Sequence, residues 1–174
     1  FFSKSRFWVA ASIHKEEDSF CLNTHLEINK YYNDIKTILA PRHLDRVESI
    51  KSLSESYGIK TQILNTNEKI KNEAEVIIIN SFGELQNYYK FAKSVFIGKS
   101  IIKRLREDSG QNPIDAAKLS CKVYHGPYVV NFEEIYKILS SNKISMQINN
   151  IGELSKNLII DLKELNKSET SNFY

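Results

Sequence analysis

Glu75-Val76-Ile77-Ile78-Ile79 and Ser94-Val95-Phe96-Ile97-Gly98 are the stretches that decide the fold. Each is a short apolar run without the alternation of a half-exposed strand, which is how a strand reads when helices cover both faces of a parallel sheet. Outward from them, β-rich runs at residues 7–11, 34–40, 60–64, 122–126 and 144–148 alternate with helical periodicity at 16–32, 43–57, 83–92, 113–119, 132–139 and 151–165. This order predicts an α/β domain, a doubly wound, mainly parallel, Rossmann-like sheet with helices on both faces. Residues 1–165 are expected to form that one domain and 166–174 a polar tail. Ligands of such sheets bind beyond the carboxyl ends of the strands, so a site is expected in the loops after Ala11, Ala40, Ile79, Gly98 and Gly126.

Composition narrows the classes. A chain of 174 residues, 41% hydrophobic, can bury one core of ordinary size. Its net charge of +3 with 26% charged residues marks neither a disordered chain nor a polyelectrolyte, so no nucleic-acid partner is implied. Cys21 and Cys121 lack any CxxC or Cys/His spacing, which argues against a disulfide framework or structural zinc and fits a reducing cytoplasm. No apolar run approaches the ~20 residues of a spanning helix, and the apolar stretch in residues 1–12 is too short for a signal peptide. The chain opens on Phe1 directly before a strand-like run, and the expectation is an excised domain whose N-terminal part is missing.

Two familiar phosphate motifs fail. Gly98-Lys99-Ser100 follows a strand as the end of a P-loop does, but Lys93 stands where that motif needs its first glycine, and no helix pattern starts after Ser100. After the first strand comes Ala11-Ser12-Ile13-His14-Lys15 rather than a GxGxxG fingerprint. What remains is a nucleotide site of another kind.

Four loop motifs fall at the strand ends. The first is Trp8-Val9-Ala10-Ala11-Ser12-Ile13-His14 with Glu17 and Asp18, and His25 on the helix that follows. The second is Pro41-Arg42-His43 with Arg46. The third is Asn80-Ser81-Phe82-Gly83-Glu84-Leu85, followed by Phe96-Ile97-Gly98-Lys99-Ser100. The fourth is Gly110-Gln111-Asn112-Pro113-Ile114-Asp115-Ala116-Ala117, then Gly126-Pro127 and Asn131-Phe132. In this order they resemble the 3-deoxy-D-manno-octulosonic acid (Kdo) transferase family, whose loops read W-x-A-A-S-T-H-x-G-E-E, P-R-H-P-E-R, D-T-M-G-E-L, F-V-G-G-S and G-H-N-P-L-E. Ile13 replaces threonine, Glu16 glycine, Leu44 proline and Asp115 glutamate, and the basic loop at 100–110 is longer.

The resemblance implies the C-terminal half of a two-domain GT-B glycosyltransferase, the half that holds the donor CMP-Kdo. It implies Ser12, His14, Pro41, Arg42, Phe82, Gly83, Glu84, Ser100, Asn112, Pro113, Ile114 and Asp115 as donor-binding residues, with no metal, no cofactor and no catalytic base in this chain. The base belongs to the chain's own N-terminal domain, which also binds the lipid A precursor in lipopolysaccharide assembly at the cytoplasmic face of the bacterial inner membrane. Kdo transfer in the family is an inverting displacement, and this half stabilises the departing CMP. The residue types suit that task. Arg42 can fork onto phosphate or a base carbonyl, Asn112-Pro113 opens a helix whose first amides can face an anion, Asp115 can accept from ribose hydroxyls, and Gly83 has no side chain to obstruct a ligand.

Plainer readings stand beside these. Asn112-Pro113 is a standard helix start, and Glu16, Glu17 and Asp18 are carboxylates favoured by a helix dipole at ~0.3–1 kcal/mol. Lys99, Lys103, Arg104 and Arg106 make either a solvated loop or a contact to anionic membrane. His14, Glu17 and His25 read more simply as polar helix residues than as metal ligands. The rival functions are a GT-B donor domain for a UDP-sugar and a non-catalytic nucleotide-binding or interaction module.

Overall fold

A computed structural model describes Phe2 and residues 5–165; the expected tail at 166–174 lies outside the described residues. Seven strands, β1 (Phe7–Ile13), β2 (Lys36–Pro41), β3 (Thr61–Leu64), β4 (Val76–Ile79), β5 (Ser94–Ile97), β6 (Lys122–His125) and β7 (Ser145–Gln147), form one sheet in the order β3-β4-β2-β1-β5-β6-β7. Every pairing is parallel. The six helices are α1 (Glu17–Asn29), α2 (Val47–Ser56), α3 (Leu85–Tyr89), α4 (Ile114–Lys118), α5 (Glu133–Ser141) and α6 (Ile151–Asp161).

Strand pleating sorts the core into two layers. Trp8 and Ala10 of β1 point to the face covered by α1, α2 and α6, where they join Leu22, Ile50, Leu154 and Leu158. Phe7, Val9 and Ala11 point to the other face and meet Tyr88, Tyr89, Ala116 and Tyr136 of α3, α4 and α5. Each large apolar side chain so buried contributes ~1.5–3 kcal/mol, which explains the lack of alternation in β4 and β5. The chain therefore has the doubly wound α/β architecture read from its sequence.

Differences from the sequence reading are local. β1 runs past Ala11 to Ile13, with a register shift against β2 at Ser12, whose φ is 56°. The expected helix at 83–92 is only α3, because Gly83 at φ 78° cannot be helical and Ser81 Oγ donates to Glu84 Oε2 (2.9 Å) in the turn before it. The basic loop folds as a 3-10 turn at Lys103–Asp108. Three of its cations are paired, Lys99 with Asp108, Arg104 with Glu16 and Arg106 with Glu107.

One buried histidine makes stability depend on pH. His25 on α1 is fully buried, and its Nδ1 lies 2.9 Å from Thr37 Oγ1 on β2. Nε2 is buried with no hydrogen-bond partner among the described residues. Burial pushes its pKa down from 6.5 to about 4. At His25 the unfolded chain thus takes up a proton between those values while the folded chain does not, so the stability this residue contributes is full above pH 6.5 and falls as the pH drops, by about 3 kcal/mol below pH 4. Urea unfolding at neutral and acid pH should show His25→Gln losing about 3 kcal/mol less than the unaltered chain on acidification. Equal losses would assign the acid sensitivity elsewhere.

Candidate nucleotide site at the switch point

From β1 the chain runs outward to β2 on one side and returns to place β5 on the other, so the loops after β1 and β5 part at the carboxyl edge. This switch point is where doubly wound sheets open a crevice for ligands. Glu17, the first residue of α1, fills its floor. The fully buried carboxylate accepts the backbone N–H of His14 (3.0 Å), Lys99 (2.8 Å), Ser100 (2.9 Å) and Ile101 (3.3 Å). Burial raises its pKa, and the four amides pull the other way.

Consecutive amides curled around an anion form a nest. Lys99 turns that nest through a left-handed φ of 54°. Its occupant is the chain's own carboxylate, so Gly98-Lys99-Ser100 has the look of a phosphate loop while its amides are already used. Ser100 is equally committed, being buried with its hydroxyl donating to Ile97 O (2.7 Å) and accepting from Gly126 N (2.9 Å). The loops interlock around it. A Cβ on Gly98 would lie 2.5 Å from Ser12 O, and one on Gly126 2.0 Å from Ser100 O.

Beside the clasp lies a cavity of about 290 Å³, walled by Ser12, Pro41, Arg42, Ser81, Phe82, Gly83 and Gln111. Arg42 is exposed there and makes no ion pair among the described residues. Phe82, 72% exposed, stands at the mouth. Arg46 is bonded to Asp18 and reaches Ile13 O (3.4 Å). The His14 and His43 rings meet edge to face at 5.5 Å. Burial, then the charges of Lys99, His43, Arg46 and Arg42, lower the His14 pKa to about 4. Burial, helped by these neighbouring cations, keeps the imidazole neutral at pH 7, and the same cations make the crevice attractive to an anion.

The expected site residues divide. Ser12, Pro41, Arg42, Phe82 and Gly83 share the cavity wall, and His14 adjoins it through Gln111, whose Nε2 is 3.4 Å from His14 Nε2. Glu84 turns toward a separate hollow beside Tyr88. Asn112, Pro113, Ile114 and Asp115 lie outside the wall. Pro113 is itself the cap of α4, and Asn112 Oδ1 already accepts from Ile114 N (2.9 Å), so the first amide of α4 is not open to a ligand. Gly83 has nothing within 4 Å of a Cβ position, so its positive φ, rather than any crowding by protein, accounts for glycine there. Two residues with a part in the site were not singled out by spacing: Gln111, one place before the motif's Asn-Pro, and Glu17 as the clasp. A larger cavity of about 620 Å³, against His125, Tyr128, Tyr136 and Lys137 beyond β6, has none of the expected donor residues in its wall.

No known family profile matches the sequence. Individual relatives do. The chain is 28% identical over 146 residues to 3-deoxy-D-manno-octulosonic acid transferase of Haemophilus influenzae, covering 84% of this chain and 33% of that protein. It is 27% identical over 151 residues to the transferase of the same name from Aquifex aeolicus, covering 87% and 40%. The chain resembles the Kdo transferases. It spans about a third of the length of these curated relatives. Among solved structures, the C-terminal CMP-Kdo binding domain of WaaA from Acinetobacter baumannii superposes with a TM-score of 0.81 at 19% identity, over 91% of this chain and 80% of that one. The fold is thus shared with a CMP-Kdo binding domain. Among the described residues no helix is long and apolar enough to cross a membrane.

Proposed function

We propose that this chain is the donor-binding domain of a glycosyltransferase that moves Kdo from CMP-Kdo to a lipid A precursor. The observation that carries the reading is Arg42, a guanidinium without an acidic partner among the described residues, at the wall of a cavity on the switch edge of the sheet. Its fork and the surrounding basic groups stabilise the phosphate of the departing CMP, and Phe82 offers an aromatic face to the base. Among the residues first assigned to the donor, Ser12, His14, Pro41 and Gly83 complete the immediate surroundings. Ser100 acts from behind, through the clasp, and Asp115 remains as an exposed carboxylate for ribose hydroxyls. The acceptor and the base that deprotonates it belong to the remainder of the enzyme, at the cytoplasmic face of the inner membrane. A membrane contact through Lys99, Lys103, Arg104 and Arg106 has less support, because only Lys103 of the four lacks an ion pair among the described residues.

Arg42→Ala should weaken CMP ten- to a hundredfold, the ~1.5–3 kcal/mol of a charge-assisted hydrogen bond, without lowering the melting temperature. Calorimetric titration checks this, and an unchanged affinity would remove Arg42 from the site. Competition between CMP and UDP in the same titration separates this reading from a UDP-sugar domain.

A further inference from the structure

Resting on the donor reading, a second cation, on the loop beside the crevice, acquires a task. An ulosonic acid linked to CMP carries two anionic groups, the phosphodiester and the sugar carboxylate. Arg42 approaches the cavity from the β2 loop, and Lys99 belongs to the β5 loop, where it follows Gly98, which packs against Ser12 of the cavity wall. Lys99 O accepts from Gly110 N (2.6 Å), which sets Lys99 beside Gln111 of the cavity wall. Its side chain is only 15% exposed. The ammonium is held by Asp108 Oδ2 at 3.0 Å, and Asp108 is steadied in turn by Asn131 Nδ2 at 2.7 Å. An ammonium has three donors, and among the described residues one is used.

The backbone makes lysine an odd choice here. A φ of 54° disfavours any residue with a Cβ, and glycine would adopt it freely. The amide of Lys99 serves Glu17 whatever side chain follows, so the backbone contact does not explain the lysine. Its ammonium, oriented by Asp108 and with two of three donors unused among the described residues, does. We propose that Lys99 is a specificity-determining residue that binds the carboxylate of a CMP-linked acidic sugar while Arg42 binds the phosphate.

The test compares two phosphodiesters, the methyl ester of CMP, which has no carboxylate, and CMP-Kdo generated in situ, by NMR titration of the unaltered chain, Lys99→Gly and Lys99→Met. Both substitutions should weaken CMP-Kdo about tenfold and leave the methyl ester unchanged, and Lys99→Gly should not lower the thermal midpoint. Methionine keeps the left-handed strain and glycine removes it, so a shared loss of CMP-Kdo binding reports the charge and not the backbone. Equal effects on the two ligands, or none on either, would overturn the proposal and leave Lys99 a tether for the 3-10 turn. Failure of the unaltered chain to bind even the methyl ester would instead remove the donor reading on which the proposal rests.

Discussion

Gly126→Ala is expected to cost about 4 kcal/mol, enough to leave much of a marginally stable domain unfolded. The new methyl would meet backbone, not a side chain that can swing aside: 2.0 Å from Ser100 O, 2.5 Å from Ser100 C and 2.9 Å from Ile101 Cα. Relief requires the β5 and β6 loops to separate. That would break the bond from Gly126 N to Ser100 Oγ and disturb the amides that Ser100 and Ile101 give to Glu17. Ordinary overpacking costs ~1–3 kcal/mol because the core repacks, and this site has no slack to do so. Gly83→Ala is the control. Its φ of 78° is unfavourable for alanine but nothing lies within 4 Å of the new methyl, so about 1 kcal/mol is expected. Urea denaturation of the two variants checks the contrast, and a Gly126 variant no less stable than the Gly83 variant would show that the loops do not interlock.

Glu17→Ala should be nearly as damaging, at ~3–5 kcal/mol, since it leaves buried donors without their charged acceptor. The loss would be local in origin. The amides of Lys99, Ser100 and Ile101 belong to the loop after β5, and the carboxylate ties them to the His14 loop after β1. Glu17→Gln keeps the shape but turns one acceptor oxygen into a donor facing N–H groups, so it should fold with reduced stability and shift those amides in a nitrogen–proton NMR spectrum. Amide shifts unchanged in the glutamine variant would mean that the clasp is not held by the carboxylate.

The architecture was legible because the core is spread over alternate faces of short apolar strands. Glu75 to Ile79 and Ser94 to Gly98 are short, apolar and rich in β-branched residues, which reads as strands covered on both sides, and the two core layers agree. The site was legible only in part. Pro41-Arg42 and Phe82-Gly83 stand at strand ends, where the topology alone brings them together. Glu17 read as a carboxylate favoured by a helix dipole because its partners at 99–101 are distant in sequence, and nothing in the local pattern announces a bond across the sheet. The inward bonds of Ser100 are hidden from the sequence for the same reason. A serine after Gly-Lys looks like a ligand contact, and only the packed loops show its hydroxyl turned inward to Ile97 and Gly126. Gln111 stands in the fourth motif without a role of its own because Asn112-Pro113 beside it carries the stronger local signal, that of a helix start, whereas the side chain reaching His14 belongs to the residue before.

Titration of the isotopically labelled chain with CMP, followed by nitrogen–proton correlation NMR, tests the central claim most directly. Saturable shifts are predicted for the amides of Ser12, Arg42, Gly83 and Gln111, around the cavity beside the Glu17 clasp. No shifts at millimolar CMP, or shifts confined to the surroundings of His125 and Tyr136 in the larger cavity, would contradict it.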